Sequence, residues 1–133
     1  MRAAAIACDL CELRTDVCWV IRTDHFTVLI GDEPHFYPDG DEWGLCSLCK
    51  RDVLADDQFP ILARRREAII RDSQPGWDGL PPDDKAAVVQ VVSLIVMTVL
   101  SCRQKTWGRA WTSEDERNAQ GQLRLDGARG IRR

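Results

Sequence analysis

The amino-acid sequence predicts an α+β fold: an N-terminal module of short strands closed by a metal ion, followed by two or three packed helices. Three observations carry that expectation. Two Cys-x-x-Cys pairs, Cys8/Cys11 and Cys46/Cys49, stand 34 residues apart, and four thiols in two such knuckles are what a tetrahedral metal ion requires of a protein. Between the pairs lie short runs of β-branched and aromatic residues, the pattern of strands. Behind the second pair come segments with helix start signals and helical apolar spacing.

In chain order, residues 1–7 are similar to the start of a secretory signal. Their apolar run of about five residues falls short of the roughly 7–15 that such a signal needs, and Cys8 and Asp9 end it. The expected location is the cytoplasm, a reducing compartment in which paired thiols hold metal rather than form disulfides. Residues 17–21 and 26–30, separated by Arg22, Thr23, Asp24 and His25, read as the two strands of a hairpin with a hydrophilic turn. Residues 31–44 are rich in Asp, Glu, Pro and Gly and read as an irregular loop with a turn at Pro38, Asp39 and Gly40. The second pair runs into residues 50–55, a helix whose first turn holds Cys49, where the positive helix end favours thiolate charge. Cys18 and Cys102 fall outside the tetrad and read as small hydrophobes, and His25 and His35 lack the spacing of a histidine-based site.

Asp56 and Asp57 cap a second helix with Pro60 in its first turn and an apolar stripe of Ile61, Leu62, Ala68, Ile69 and Ile70; Arg64, Arg65 and Arg66 make its other face cationic. A turn-rich break at 74–82 follows, and Asp83 and Asp84 open a helix that reaches about Lys105. That helix holds 17 consecutive uncharged residues, 86–102. They cover about 26 Å, slightly short of a ~30 Å bilayer core. Gln90, Ser93, Met97 and Ser101 draw a weakly polar stripe down one side. The expected role is therefore a central core helix, with no membrane contact; being apolar around most of its girth, it also predicts a homodimer packed through it. Residues 106–133 read as a short helix, with a capping-box pattern at 113–116, and a flexible basic tail. The chain thus divides into a four-cysteine module (1–58), a helical part of the same domain (59–105) and the tail segment (106–133).

Knuckle, hairpin, knuckle and helix in that order resemble a treble-clef zinc finger over residues 6–58. Zn²⁺ is the expected ion on Cys8, Cys11, Cys46 and Cys49, with a rubredoxin-like iron centre or an iron–sulfur cluster as the alternatives that four thiolates also hold. Treble clefs serve ribosomal, regulatory and nuclease proteins, so the resemblance implies a fold more than an activity. The layout, with Trp77, Asp78, Gly79, Leu80, Pro81 and Pro82 between an arginine-bearing and an apolar helix, also resembles small zinc-finger proteins of actinobacteria and their phages. Asp24 and His25 together with Leu45, Cys46 and Cys49 are similar to zinc-stapled HNH endonucleases, a resemblance that would make His25 a general base and Asp24 a holder of a divalent ion. The chain departs from that pattern: Lys50 stands where the family places a metal-binding His or Asn, and Asn118 is its single asparagine. A degenerate nuclease pattern is the weakest of the three functional readings, and no catalytic residue is assigned.

The formal charge of −3 divides into −7 over residues 1–60 and +4 over residues 61–133. An acidic face for a protein partner and a basic face for nucleic acid both fit that split. The leading expectation is a small zinc-binding interaction or regulatory protein that binds a protein partner, with Phe36, Tyr37 and Trp43 as candidate contacts in and around the acidic loop. The alternative is a nucleic-acid-binding regulator contacting phosphate through Arg64, Arg65, Arg66 and Arg71. Arg103, Lys105, Arg109, Arg124, Arg129, Arg132 and Arg133 would add to it, with Trp107 and Trp111 to stack on bases. Against it stand a pI near 5.3 and the carboxylates Asp32, Glu33, Asp39, Asp41 and Glu42.

Overall fold

The computed structural model describes residues 6–129, with side chains through residue 122. Outside them lie the signal-like start at 1–5 and the end of the basic tail at 130–133, as do the side chains of Arg124 and Arg129. The chain is α+β, with the four cysteines beside the strands and the helices behind them.

Four strands precede the first helix: β1 (Val17–Thr23), β2 (Phe26–Ile30), β3 (Glu33–Tyr37) and β4 (Asp41–Cys46). The expected hairpin between β1 and β2 does not form. β1 pairs antiparallel with β4, Val20 opposite Gly44 and Ile21 opposite Trp43, while β2 pairs with β3 from Phe26–Tyr37 to Ile30–Glu33. One hairpin is thus nested inside another. Turn chemistry favours this pairing: a two-residue hairpin turn takes positive φ most readily at glycine, and Gly31 supplies it at +62° between β2 and β3, whereas no glycine lies between β1 and β2. The loop expected at 31–44 is therefore mostly strand. Gly40, at φ +76°, turns the chain from β3 into β4, and its N–H donates to the Thr23 carbonyl at 2.9 Å. Asp24 and His25 make the crossing between sheets, held where the His25 N–H donates to Asp39 Oδ1 at 2.6 Å.

Helix α1 (Ser47–Leu54) follows β4 directly, and α2 (Gln58–Ser73) begins at the expected cap, with the Phe59 N–H on Asp57 Oδ1 at 3.3 Å. The turn-rich break contains a single helical turn, α3 (Gly76–Gly79), whose Trp77 is buried. Helix α4 (Pro82–Cys102) packs on α2 and on β2. A two-residue strand β5 (Arg109–Ala110) adds to the free edge of β1, giving the order β4-β1-β5, and α5 (Ser113–Arg129) is longer than the short helix expected. Its capping box sits one residue before the expected one: Thr112 Oγ1 accepts from the Asp115 N–H at 3.1 Å, and Asp115 Oδ2 accepts from the Thr112 N–H at 2.8 Å.

One core joins the module to the helices, running from Leu10, Ile21, Val28 and Leu45 through Val53 and Ile61 to Val96 and Val99. Phe26, Tyr37 and Trp43 pack the inner hairpin onto the larger sheet, with ring centroids 4.8 Å (Phe26–Tyr37) and 5.4 Å (Tyr37–Trp43) apart. Helix α4 is peripheral rather than central. By length and composition it is apolar enough to cross a bilayer, yet only 11% of its most apolar window is buried, with α2 and β2 packed against one side of it.

Candidate metal centre

The four cysteines converge although 34 residues separate the pairs. Cys8, Cys11, Cys46 and Cys49 are each 0% exposed, and their sulfurs all lie within 4.8 Å of one another. Cys11 Sγ and Cys46 Sγ are 3.9 Å apart. A tetrahedral ion bound at about 2.3 Å places its sulfurs about 3.8 Å apart, so the cavity fits such an ion, and the six cysteines are all free of disulfides. Among the described residues this is the single group of three or more candidate ligands.

Local backbone geometry aims each pair. In the first knuckle the Glu12 N–H returns to the Cys8 carbonyl at 2.9 Å, and Glu12 takes the left-handed φ of +53° that the tight return requires. Asp9 fastens this knuckle to β4: its N–H donates to the Gly44 carbonyl at 2.8 Å and its Oδ2 accepts from the Gly44 N–H at 2.7 Å. In the second knuckle Cys46 is the N-cap of α1, its sulfur accepting from the Cys49 N–H at 3.4 Å. The pair therefore sits at the positive end of a helix, where thiolate charge is stabilised.

Four thiols this close cannot all ionise without a cation. Hydrogen bonds from Cys11, Cys46 and Cys49, and then burial, push the Cys8 thiol far up. Cys49 is likewise raised, first by Cys11 and Cys46. Cys46 falls to about 7: Cys11 pushes it up, and Cys49, Cys8 and the Cys49 N–H more than offset that. A divalent ion would resolve the conflict by holding all four as thiolates.

The arginines expected on an exposed cationic face belong to this centre. Arg64, whose side chain is 12% exposed, donates to Cys49 Sγ at 3.2 Å and to Asp52 Oδ2 at 2.6 Å. Burial works against its charge, and the Cys49 and Asp52 hydrogen bonds more than restore it. Arg65 pairs with Glu12 at 2.9 Å and reaches the Leu10 carbonyl at 3.5 Å. Arg71 donates to the Leu13 and Glu12 carbonyls, each at 3.3 Å. Three arginines of α2 thus grip the first knuckle and one ligand of the second. A tetrathiolate around a divalent ion carries a net charge of −2, and this clamp offsets it. Arg66 remains exposed beside a shallow groove between α2 and α4.

The other candidates scatter. Trp43 is buried, its Nε1 donating to Thr23 Oγ1 at 3.2 Å; Tyr37 is half-buried; Phe36 is 64% exposed on the opposite face of β3. His25 Nδ1 lies 2.9 Å from Asp39 Oδ1, with both side chains exposed, and Asp24 accepts from Gln104. Arg109 joins Asp115 at 2.6 Å and Glu42 at 3.2 Å, and the Arg22 guanidinium lies 4.1 Å from the centroid of the Trp107 ring. Arg103 is buried against Asp56, and Trp111 Nε1 donates to Glu116. Asp52, buried between Arg51 and Arg64, had no counterpart among the sequence candidates; an acidic residue three positions after Cys49 on the same helix was its one signal.

No family model, no curated protein and no solved structure matches this chain.

Proposed function

We propose that this chain is a small zinc-stapled interaction protein of a reducing compartment, in which Zn²⁺ on Cys8, Cys11, Cys46 and Cys49 is structural and the treble-clef-like module presents its inner hairpin to a protein partner. The observation that carries this reading is the complete burial of all four thiols: an ion enclosed by four cysteines has no open position for water or substrate. Its free energy of binding then goes into folding the module.

The surface so held is the outer face of β2 and β3. Leu29 and Phe36 are 61% and 64% exposed there, and Asp32 and Glu33 stand exposed at the hairpin turn. An apolar pair edged by carboxylates fits a partner segment with a large apolar side chain flanked by Lys or Arg. Phosphate is the poorer fit, since Arg64, Arg65 and Arg71 spend their donors within the chain. Selection of peptides from a displayed random library on the zinc-loaded protein tests the reading. Enriched sequences should carry basic residues around an aromatic or Leu and lose binding to Phe36→Ser. Enrichment insensitive to Phe36→Ser, or no enrichment, would contradict it.

A further inference from the structure

In an antiparallel pair of strands, residues that exchange both backbone hydrogen bonds alternate with residues whose N–H and C=O groups point away from the neighbouring strand. Gly31 and Asp32 form the two-residue turn between β2 and β3, so Ile30 and Glu33, which close it, are a bonded pair, as are Val28 with His35 and Phe26 with Tyr37. Leu29 with Pro34 and Thr27 with Phe36 are pairs of the other kind. Proline, with no N–H to give, fits that position. The outward edge of β3 therefore presents the Pro34 carbonyl and both the N–H and the carbonyl of Phe36.

The larger sheet has its outer edges in use. Asp9 bonds both backbone groups of Gly44 on β4, and β5 together with the Thr23–Arg103 bridge lines the far side of β1. Of the inner hairpin, β2 is packed by α4. β3 has β2 as its one strand neighbour, its residues are exposed or half-buried throughout, and no described backbone group bonds Pro34 or Phe36 across the outward edge. Both ends of that edge are acidic: Asp32 and Glu33 stand exposed where β3 begins, and Asp39, whose Oδ1 holds His25, stands exposed just past its end. Phe36, 64% exposed, lies between them.

From this edge we infer that the partner segment of the proposed function, a reading on which this inference rests, binds as an extended strand added antiparallel to β3. Its central apolar residue lies opposite Phe36, accepting from the Phe36 N–H and donating to the Phe36 carbonyl, and the residue two positions on donates to the Pro34 carbonyl. Side chains next to Phe36 then share its exposed face, while basic residues three positions to either side stand opposite Glu33 and Asp39, cross-strand pairs of opposite charge. A second copy of this chain is the poorer occupant. Paired about Phe36, it sets Glu33 directly against Asp39, which like charge disfavours, and Pro34 and Pro38 leave Phe36 as the one outward donor that its own β3 could offer.

The probe is the peptide acetyl-Lys-Lys-Thr-Phe-Thr-Lys-Lys-amide, titrated to about 1 mM, a range that reads weak association, into the zinc-loaded, ¹⁵N-labelled protein. On saturation the Phe36 amide should exchange with solvent about tenfold more slowly or better, while the amides of Thr27 and Leu29 exchange as before. A methyl on the backbone nitrogen of the peptide phenylalanine removes the donor to Phe36 and should weaken binding about tenfold or more; the same methyl on the threonine that follows, whose N–H points away from β3, should change it by less than about twofold. Binding that Phe36→Ser abolishes, but that the two methylated peptides share equally or lose at the threonine, overturns strand addition and leaves the partner surface standing, as does protection of Thr27 and Leu29 in place of Phe36. No binding of the parent peptide, or binding indifferent to Phe36→Ser, overturns both.

Discussion

Replacing Arg64 with methionine keeps the aliphatic stem and removes the guanidinium, which tests whether α2 serves the metal centre. The change strands Asp52, whose side chain is 6% exposed, 2.6 Å from the lost charge. Breaking a buried ion pair from one side costs ~3–5 kcal/mol. Arg51 stays 3.0 Å away, but its head is 63% exposed and screened by water, so the lower end, about 3 kcal/mol, is expected. Cys49 Sγ also loses its charged donor at 3.2 Å. Partners of this kind are worth about 10- to 100-fold in metal affinity. Urea denaturation of the zinc-loaded protein reads the first effect, and competition with a chromophoric chelator reads the second. The double variant Asp52→Asn/Arg64→Met separates them: neutralising the stranded carboxylate should recover much of the stability, while zinc affinity stays low because Cys49 still lacks its donor. Arg64→Met within about 0.5 kcal/mol of the parent, the level of an ordinary surface change, with unaltered chelator competition, would refute the clamp.

Other perturbations have equally definite outcomes. Gly44→Ala would place a methyl 2.9 Å from Trp111 Cζ3 and 3.1 Å from Val17 Cγ1, and Gly108→Ala one 2.7 Å from Trp19 Cζ2; each should cost about 1–3 kcal/mol in urea denaturation as an overpacked contact. Asp115→Asn should cost about 1–2 kcal/mol at neutral pH, because Arg109 holds this carboxyl well below the usual range, helped by Thr112. A depressed carboxyl pKa stabilises the fold fully above the unfolded value of about 3.9 and loses that contribution as pH falls through the folded value. The Asp115→Asn penalty measured at about pH 5.5 should therefore equal that at pH 8, and a penalty that shrank over this interval would contradict the ion pair.

The four-cysteine cluster was legible in the sequence because each knuckle is local: Cys-x-x-Cys places two sulfurs together whatever the rest of the chain does. Strand pairing was not, since residues 17–21 and 26–30 satisfy strand composition equally with any partner. The deciding residues were Gly31 and Gly40, whose positive φ turns the chain where Asp24 and His25 do not. Pro34 and the carboxylates disguised β3, an edge strand that tolerates proline. The arginines of α2 announced charge without direction. Only the fold brings Glu12, Asp52 and the knuckle carbonyls beneath Arg64, Arg65 and Arg71, and so turns an apparent cationic face into a clamp. For α4, a helix apolar around most of its girth states how much surface wants covering, and the neighbours decide which side is covered.

The central claim is a structural ion held by four cysteines, and metal content per chain, measured together with the fold before and after chelation, tests it most directly. Protein purified without chelator should carry about one zinc per chain, the closed four-thiolate case. Removing the ion should abolish the near-UV signal of Trp43, and adding it back should restore that signal. A metal-free chain that keeps its near-UV spectrum and its urea midpoint would contradict the account.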